Sequence, residues 1–214
     1  MRKQLMAHKI IAVYGNSGSY KTTTALSLAR YMASKGTNII LVGADTTKPL
    51  LPIAAPLESK FAGSLGKALS SVDFDRDMIL KNIYMATDHV GILSYNIREN
   101  ANTYAVVSQE RIDDLYMQLR QQSDTDIIVD CTSDISQSKL TAKAIITADV
   151  VIELLTCDTN GLVFGRFAGA DIAVRTVYIP QVRSNDVTQQ RFQAGRSRYE
   201  KRNGTYFRRN SLLP

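Results

Sequence analysis

Short apolar segments and helical periods alternate along the chain. Ile10-Ile11-Ala12-Val13-Tyr14, entered through His8 and Lys9, is continuously apolar, and Asn38-Ile39-Ile40-Leu41-Val42-Gly43 is nearly so. Thr125 to Cys131 and Asp149 to Thr156 have the same apolar centre with polar ends. Such runs read as strands buried on both faces, as in a parallel sheet. Val90-Gly91-Ile92-Leu93 is a further candidate strand, and the more polar segment from Ile172 to Ile179 suits a sheet edge. Between these the period changes. Ala25, Leu28, Ala29 and Met32 stand at i, i+3, i+4 and i+7 and predict a helix from Lys21 to Ser34, closed by Gly36. Ile112, Leu115, Tyr116 and Leu119 give an apolar face to a helix predicted over 104–122. Shorter helices are predicted over 64–71, 75–82, 136–147 and 161–170, with Asp75 capping the second and Asp134 placed to cap the third. Glu99 to Tyr104 reads as a loop.

Strands alternating with helices predict an α/β domain with a mostly parallel central sheet flanked by helices. Ligands of such sheets lie beyond the strands' carboxyl ends. Gly15, Asp45, Asp130 and Cys157 fall at those ends.

The first junction carries chemistry. Gly15-Asn16-Ser17-Gly18-Ser19-Tyr20-Lys21-Thr22-Thr23 joins the first strand to the first helix, which is the layout of a phosphate-binding loop. Main-chain N–H groups at a helix N-terminus point at an anion, and the helix dipole favours negative charge there. Lys21 adds a mobile cation for terminal phosphates, and the Thr22 hydroxyl is a magnesium ligand by type. The full pattern is GxxxxGK[ST], and Tyr20 stands at its second glycine. A non-glycine residue in the left-handed region costs roughly 1–2 kcal/mol. The alternative is a strand-to-helix turn that happens to contain Lys-Thr. Nucleotide hydrolysis also needs magnesium and a group that positions water. Asp130, closing an apolar strand, sits where a Walker-B-type acid belongs, and Asp45, after the second strand, is a second candidate. Asp130 also suits a turn or a helix cap, and Asp45 a solvated loop.

Taken in order, Ile10 to Thr23, Ile39 to Asp45 and Asp126-Ile127-Ile128-Val129-Asp130 resemble the ParA/MinD-type P-loop ATPases, the deviant Walker A family, across most of residues 8–160. The resemblance implies a three-layer P-loop NTPase fold that binds ATP and Mg²⁺ and dimerises with nucleotide. It implies a role in positioning plasmids, division machinery or secretion, pilus and conjugative apparatus, with a partner protein. It places Lys21 at the phosphates, Thr22 and Asp130 around magnesium, and Asp45 near magnesium and the hydrolytic water. The chain departs from the family pattern at Asn16, where the family has a lysine that reaches the partner's nucleotide. It departs again at Gly43, the first Asp of DxD, and at Tyr20. These departures imply slow or impaired hydrolysis and remove the basis for the usual contact across a dimer. Two further readings stay open: a pseudo-ATPase adaptor that binds no nucleotide, and a DNA-associated partition protein.

Charge bears on the last of these. Residues 183–214 hold eight Lys/Arg and two acids, so they carry the whole +6 of the chain, and residues 1–182 balance. The sequence therefore divides into a P-loop NTPase-like domain, 1–182, and a basic C-terminal segment, 183–214. The latter interleaves its bases with Phe192, Tyr199, Tyr206 and Phe207, which suits nucleic acid, an acidic membrane surface or an acidic partner, or a solvated terminus. With 214 residues and 44% hydrophobic content the chain is globular in type. Two cysteines make no disulfide framework and suit the cytoplasm, and no apolar run reaches transmembrane length.

Overall fold

The structure, a computed structural model, describes residues 8–54, 62–97, 99, 102–167, 176–181, 199–202 and 205–208. Strand β1 (Ile10–Gly15) leads through the loop into helix α1 (Lys21–Ala33), and β2 (Asn38–Gly43) follows. Three short helices come next, α2 (Leu51–Ala54), α3 (Leu65–Leu69) and α4 (Arg76–Lys81), then strands β3 (Tyr84–Thr87) and β4 (Val90–Leu93). The chain continues through α5 (Gln109–Arg120), β5 (Thr125–Asp130), α6 (Lys139–Thr147), β6 (Val150–Thr156), α7 (Thr159–Phe167) and β7 (Thr176–Gln181). The seven strands form one sheet in the order β3-β4-β2-β5-β1-β6-β7. Every neighbouring pair is parallel except β3 with β4.

Alternation along the strands sorts the core into two layers, because successive strand residues face opposite sides. Ile10, Ala12, Tyr14, Ile40, Val42, Ile127 and Val129 pack beneath α3, α4, α5 and α6. Ile11, Val13, Ile39, Leu41 and Ile128 pack against Ala25 and Ala29 of α1 and against Leu50 and Leu51. This is the three-layer arrangement expected, with helices on both faces. Gly36 takes φ +82, and behind it Thr37 N–H bonds the Met32 carbonyl while Gly36 N–H bonds that of Ala33, which closes α1.

Some expectations are corrected. The helix predicted over 104–122 begins at Gln109, because the Ser108 side chain accepts from Arg111 N–H and caps it there. The β-branched pair Val106-Val107 stays outside the helix. Asp134 does not cap α6. It accepts from the amide and hydroxyl of Ser136 in a local turn, and Ser138 is the cap, accepting from Thr141 N–H. Strand β3 and helix α2 were not legible: each is four residues long, and β3 is largely exposed, so neither shows a period. Of the segment 183–214, the structure describes a two-stranded antiparallel ribbon, β8 (Tyr199–Arg202) with β9 (Thr205–Arg208). The rest of that segment, and residues 168–175 of the predicted last helix and strand, lie outside the described residues. Among the described residues, no helix is long and apolar enough to cross a membrane.

Candidate functional site

Strands β2, β5, β1 and β6 are adjacent, so their carboxyl ends bring four chain-distant segments to one rim. These are the loop after Gly15, Asp45, Asp130 and Thr156. A cleft of about 870 Å³ opens there between the loop, residues 44–48, 104–107 and 130–140.

The loop is shaped by close approach. A Cβ on Gly15 would lie 2.0 Å from the Leu154 carbonyl oxygen, so only glycine lets β1 turn this tightly beside β6. Gly18 takes φ +78. Tyr20, the residue before α1, takes φ 63 and ψ 31, the left-handed conformation of the glycine it replaces, without a side-chain cap. Its ring forms part of the cleft wall and is 47% exposed. Ser17, Gly18, Thr22 and Thr23 also line the cleft. Ser19 does not: it is fully buried, with a hydroxyl that has no partner.

Lys21 folds over its own loop. Its Nζ donates to the Asn16 carbonyl at 3.0 Å and to Ser133 Oγ at 2.7 Å. Burial lowers its pKa, against the opposing attraction of Asp130 and Asp45. Thr22 Oγ1 donates to Asp130 Oδ2 at 2.7 Å. Asp130 is 4% exposed, and its Oδ1 is buried without a hydrogen-bond partner. Burial raises its pKa to about 6, although the Thr22 bond and the Lys21 charge pull it down; the Asp45 charge adds to the rise.

Asp45 is placed differently from the other acid. Its Oδ1 accepts from Thr47 N–H at 2.8 Å, Thr47 Oγ1 at 2.7 Å and Lys48 N–H at 3.0 Å, closing a tight turn. Burial pushes its pKa up, but the Thr47 hydroxyl, both amides and the Lys48 charge outweigh this and leave it below the usual range. Asn16 is turned into the protein, where its amide engages Thr156. Cys131 is a buried thiol whose pKa is raised by burial, which keeps it inert as a nucleophile.

Sequence reasoning missed Ser133 and Thr156. Ser133 follows β5 and Thr156 ends β6, strands whose ends that reasoning had placed at the rim, but neither belongs to a spacing pattern, and only the sheet order puts them beside the loop.

Among the described residues, no group of three His, Cys, Asp or Glu gathers as a metal cluster. Magnesium needs none. It takes hard oxygen ligands and commonly uses one or two carboxylates, with waters and phosphate oxygens completing an octahedron. The Thr22 hydroxyl, the Asp130 carboxylate and its partnerless buried oxygen fit that donor set. The N-terminus of α1 beside them, with Lys21, fits an anion.

Residues 10–177 match the family described as the CobQ/CobB/MinD/ParA nucleotide binding domain. A light-independent protochlorophyllide reductase iron-sulfur ATP-binding protein of Chlorobium limicola is 29% identical over 83 residues, which is 39% of this chain and 29% of that protein. The match thus spans less than a third of the length of the curated relatives. The solved ParA family ATPase from Chlorobium tepidum superposes with a TM-score of 0.67 at 12% identity, covering 86% of this chain and 77% of that one. Cobyrinic acid a,c-diamide synthase from Mycobacterium smegmatis, solved with bound ADP and magnesium, superposes at 0.64 with 19% identity, covering 91% of this chain and 83% of that one. At these identities the structural likeness speaks for the fold.

Proposed function

This chain belongs to the CobQ/CobB/MinD/ParA nucleotide-binding domain family, and we propose that it is an ATP- and Mg²⁺-binding P-loop protein with slow hydrolysis, acting in the positioning or assembly of a larger apparatus. The observation that carries the reading is the pair Thr22–Asp130 at the foot of the loop, hydrogen-bonded at 2.7 Å, with the second carboxylate oxygen buried and without a partner. Thr22 and Asp130 would hold the magnesium, which when bound neutralises phosphate charge. The loop from Gly15 to Thr23 and the first turn of α1 would receive the phosphates on their amides. Lys21, now held by Ser133 and the Asn16 carbonyl, would donate to the terminal phosphates. Asp45 would act on the attacking water through its charge and position.

Three features support slow turnover. Tyr20 puts a ring on the cleft wall beside the phosphate path. Gly43 lacks the carboxylate that the family pattern has there. Asp45 already has one oxygen engaged by three donors. Homodimerisation, a partner protein, a cytoplasmic setting and contact with nucleic acid or another acidic surface through residues 183–214 belong to the same proposal. The +6 charge of that segment supports the last.

Calorimetric titration with Mg·ATP tests the reading. Binding is expected to require magnesium and to weaken at least about ten-fold in Lys21→Ala, since one hydrogen-bonded charge contributes about 1.5–3 kcal/mol. Absence of binding at millimolar Mg·ATP would overturn it in favour of a structural adaptor.

A further inference from the structure

Asn16, the second residue of the loop, is 5% exposed. Its Oδ1 accepts from the Thr156 backbone N–H at 3.0 Å, and its Nδ2 donates to Thr156 Oγ1 at 2.7 Å and to the Ser17 carbonyl at 3.3 Å. A backbone N–H can only donate, which fixes which end of the Asn16 amide is oxygen. Thr156 Oγ1 is then the acceptor from Nδ2, and its own proton points to Asp158 Oδ1, 2.6 Å away. Asp158 Oδ1 also accepts from Gly161 N–H at 2.8 Å, which caps the start of α7. The donors and acceptors thus form one consistent chain from the phosphate loop to the first turn of α7. A second contact runs beside it. The Tyr14 ring, one residue before the loop, packs against Phe164 of α7 with centroids 5.2 Å apart.

We infer that Asn16 is a positioning residue that holds the phosphate loop in its binding shape from within its own chain, through Thr156 and the capped start of α7. The amide extends the β1–β6 pairing by one step past Gly15 and Leu154. A side chain engaged at both ends inside the molecule does not reach a second copy. It follows that the loop and the first turn of α7 loosen together. The inference about the tether stands apart from the nucleotide reading; only its second readout rests on that reading.

Amide hydrogen exchange on the full chain without nucleotide is the first test. Asn16→Ala and Thr156→Val are each expected to raise exchange about ten-fold at residues 17–21 and 160–162 together, as loss of one net hydrogen bond allows, with the central strands unchanged. Thr156→Ser, which keeps the hydroxyl, is expected to exchange like the unmodified chain. If Asn16→Ala does not fold, the Thr156 pair carries the comparison alone. Unchanged loop exchange in Thr156→Val, or Thr156→Ser as disturbed as Thr156→Val, would sink the inference. The second readout is affinity for Mg·ATP. It is expected to drop about ten-fold in either single variant and no further in the double variant. Effects that multiply would overturn the tether. If the unmodified chain binds no Mg·ATP, the functional reading fails and the exchange result still decides on Asn16.

Discussion

Replacing Asp130 by asparagine tests the electrostatics of the cleft without altering its shape. Asp130 is 4% exposed. Its pKa rises from the ordinary 3.8 to about 6, chiefly through burial, against the Thr22 bond and the Lys21 charge and with a contribution from Asp45. That difference corresponds to about 3 kcal/mol. The native state therefore holds this proton more tightly than the unfolded chain does. Stability falls as pH rises from 3.8 to about 6, and above that window the ionised carboxylate destabilises the metal-free protein by the full amount. The asparagine variant does not titrate. Its Nδ2 occupies the place where Oδ1 has no partner, as does the O–H of the neutral carboxyl. In acid the two proteins are thus expected to be of similar stability. Above neutrality the variant is expected to be the more stable by up to about 3 kcal/mol.

Urea denaturation of both proteins in EDTA, from about pH 4 to about pH 8, reads the divergence directly. The pH-dependent part, about 3 kcal/mol, does not depend on how well the amide fits. Stability curves that stay parallel across the whole range would refute the buried-carboxylate argument. Adding Mg·ATP is expected to raise the midpoint of the unmodified chain and not that of the variant, because a cation favours the carboxylate and not the amide. The residue that weakens the metal-free protein would then be the one that holds the metal, a common relation between function and stability.

The remaining expectations concern the loop and its neighbours. Tyr20→Gly is expected to leave stability unchanged or raise it by up to about 1 kcal/mol, since relief of roughly 1–2 kcal/mol of left-handed strain outweighs the added chain entropy. Tyr20→Ala, which keeps a Cβ, should show no such gain in urea denaturation, and a gain in both would refute the strain argument. Gly15→Ala is expected to destabilise by at least about 2 kcal/mol, because its Cβ meets the Leu154 oxygen at 2.0 Å; a neutral effect on the melting point would contradict the close approach. Asp45→Ala removes the acceptor of three hydrogen bonds and is expected to cost about 1–2 kcal/mol at neutral pH. The Asp45 pKa is lowered from 3.8, so that loss should shrink as pH falls below 3.8, and a loss independent of pH in urea denaturation would count against it.

What was legible in the sequence follows from what periodicity encodes. The strands β1, β2 and β5 are largely buried on both faces and β6 is partly so; all four show as apolar segments, so their ends could be placed within a residue or two. The loop and Asp130 followed, because a glycine-bearing turn before Lys-Thr and an acid closing a strand are local patterns. Helix α5 was found by its face but begun too early, since the boundary depends on one Ser108 side chain rather than on the period. The partners of the loop were not legible. Ser133 and Thr156 lie more than a hundred residues from Lys21 and Asn16, and no local pattern names them. Tyr20 is the reverse case: the sequence showed the substitution, and only the backbone shows that position 20 still takes the left-handed conformation of a glycine.

Two destabilising features therefore meet at one rim, a tyrosine in the left-handed region and a buried carboxylate with an oxygen that nothing in the protein satisfies. Their combined magnitude, about 4–5 kcal/mol, is comparable with the net stability of a small domain. Nothing in the packing of the central strands requires either one. Leu41, Ile128 and Val129 are fully buried within the sheet. The strain is tolerated where Gly15 presses on β6 and Asn16 grips Thr156, because those contacts hold the loop's first residues whatever its last residues adopt. A turn with only a structural role would be relieved by a neutral residue at 130. The buried Asp130 oxygen lies where a divalent cation would be received, which supports the proposed reading; the left-handed Tyr20 does not, since the glycine of a phosphate loop would relieve it.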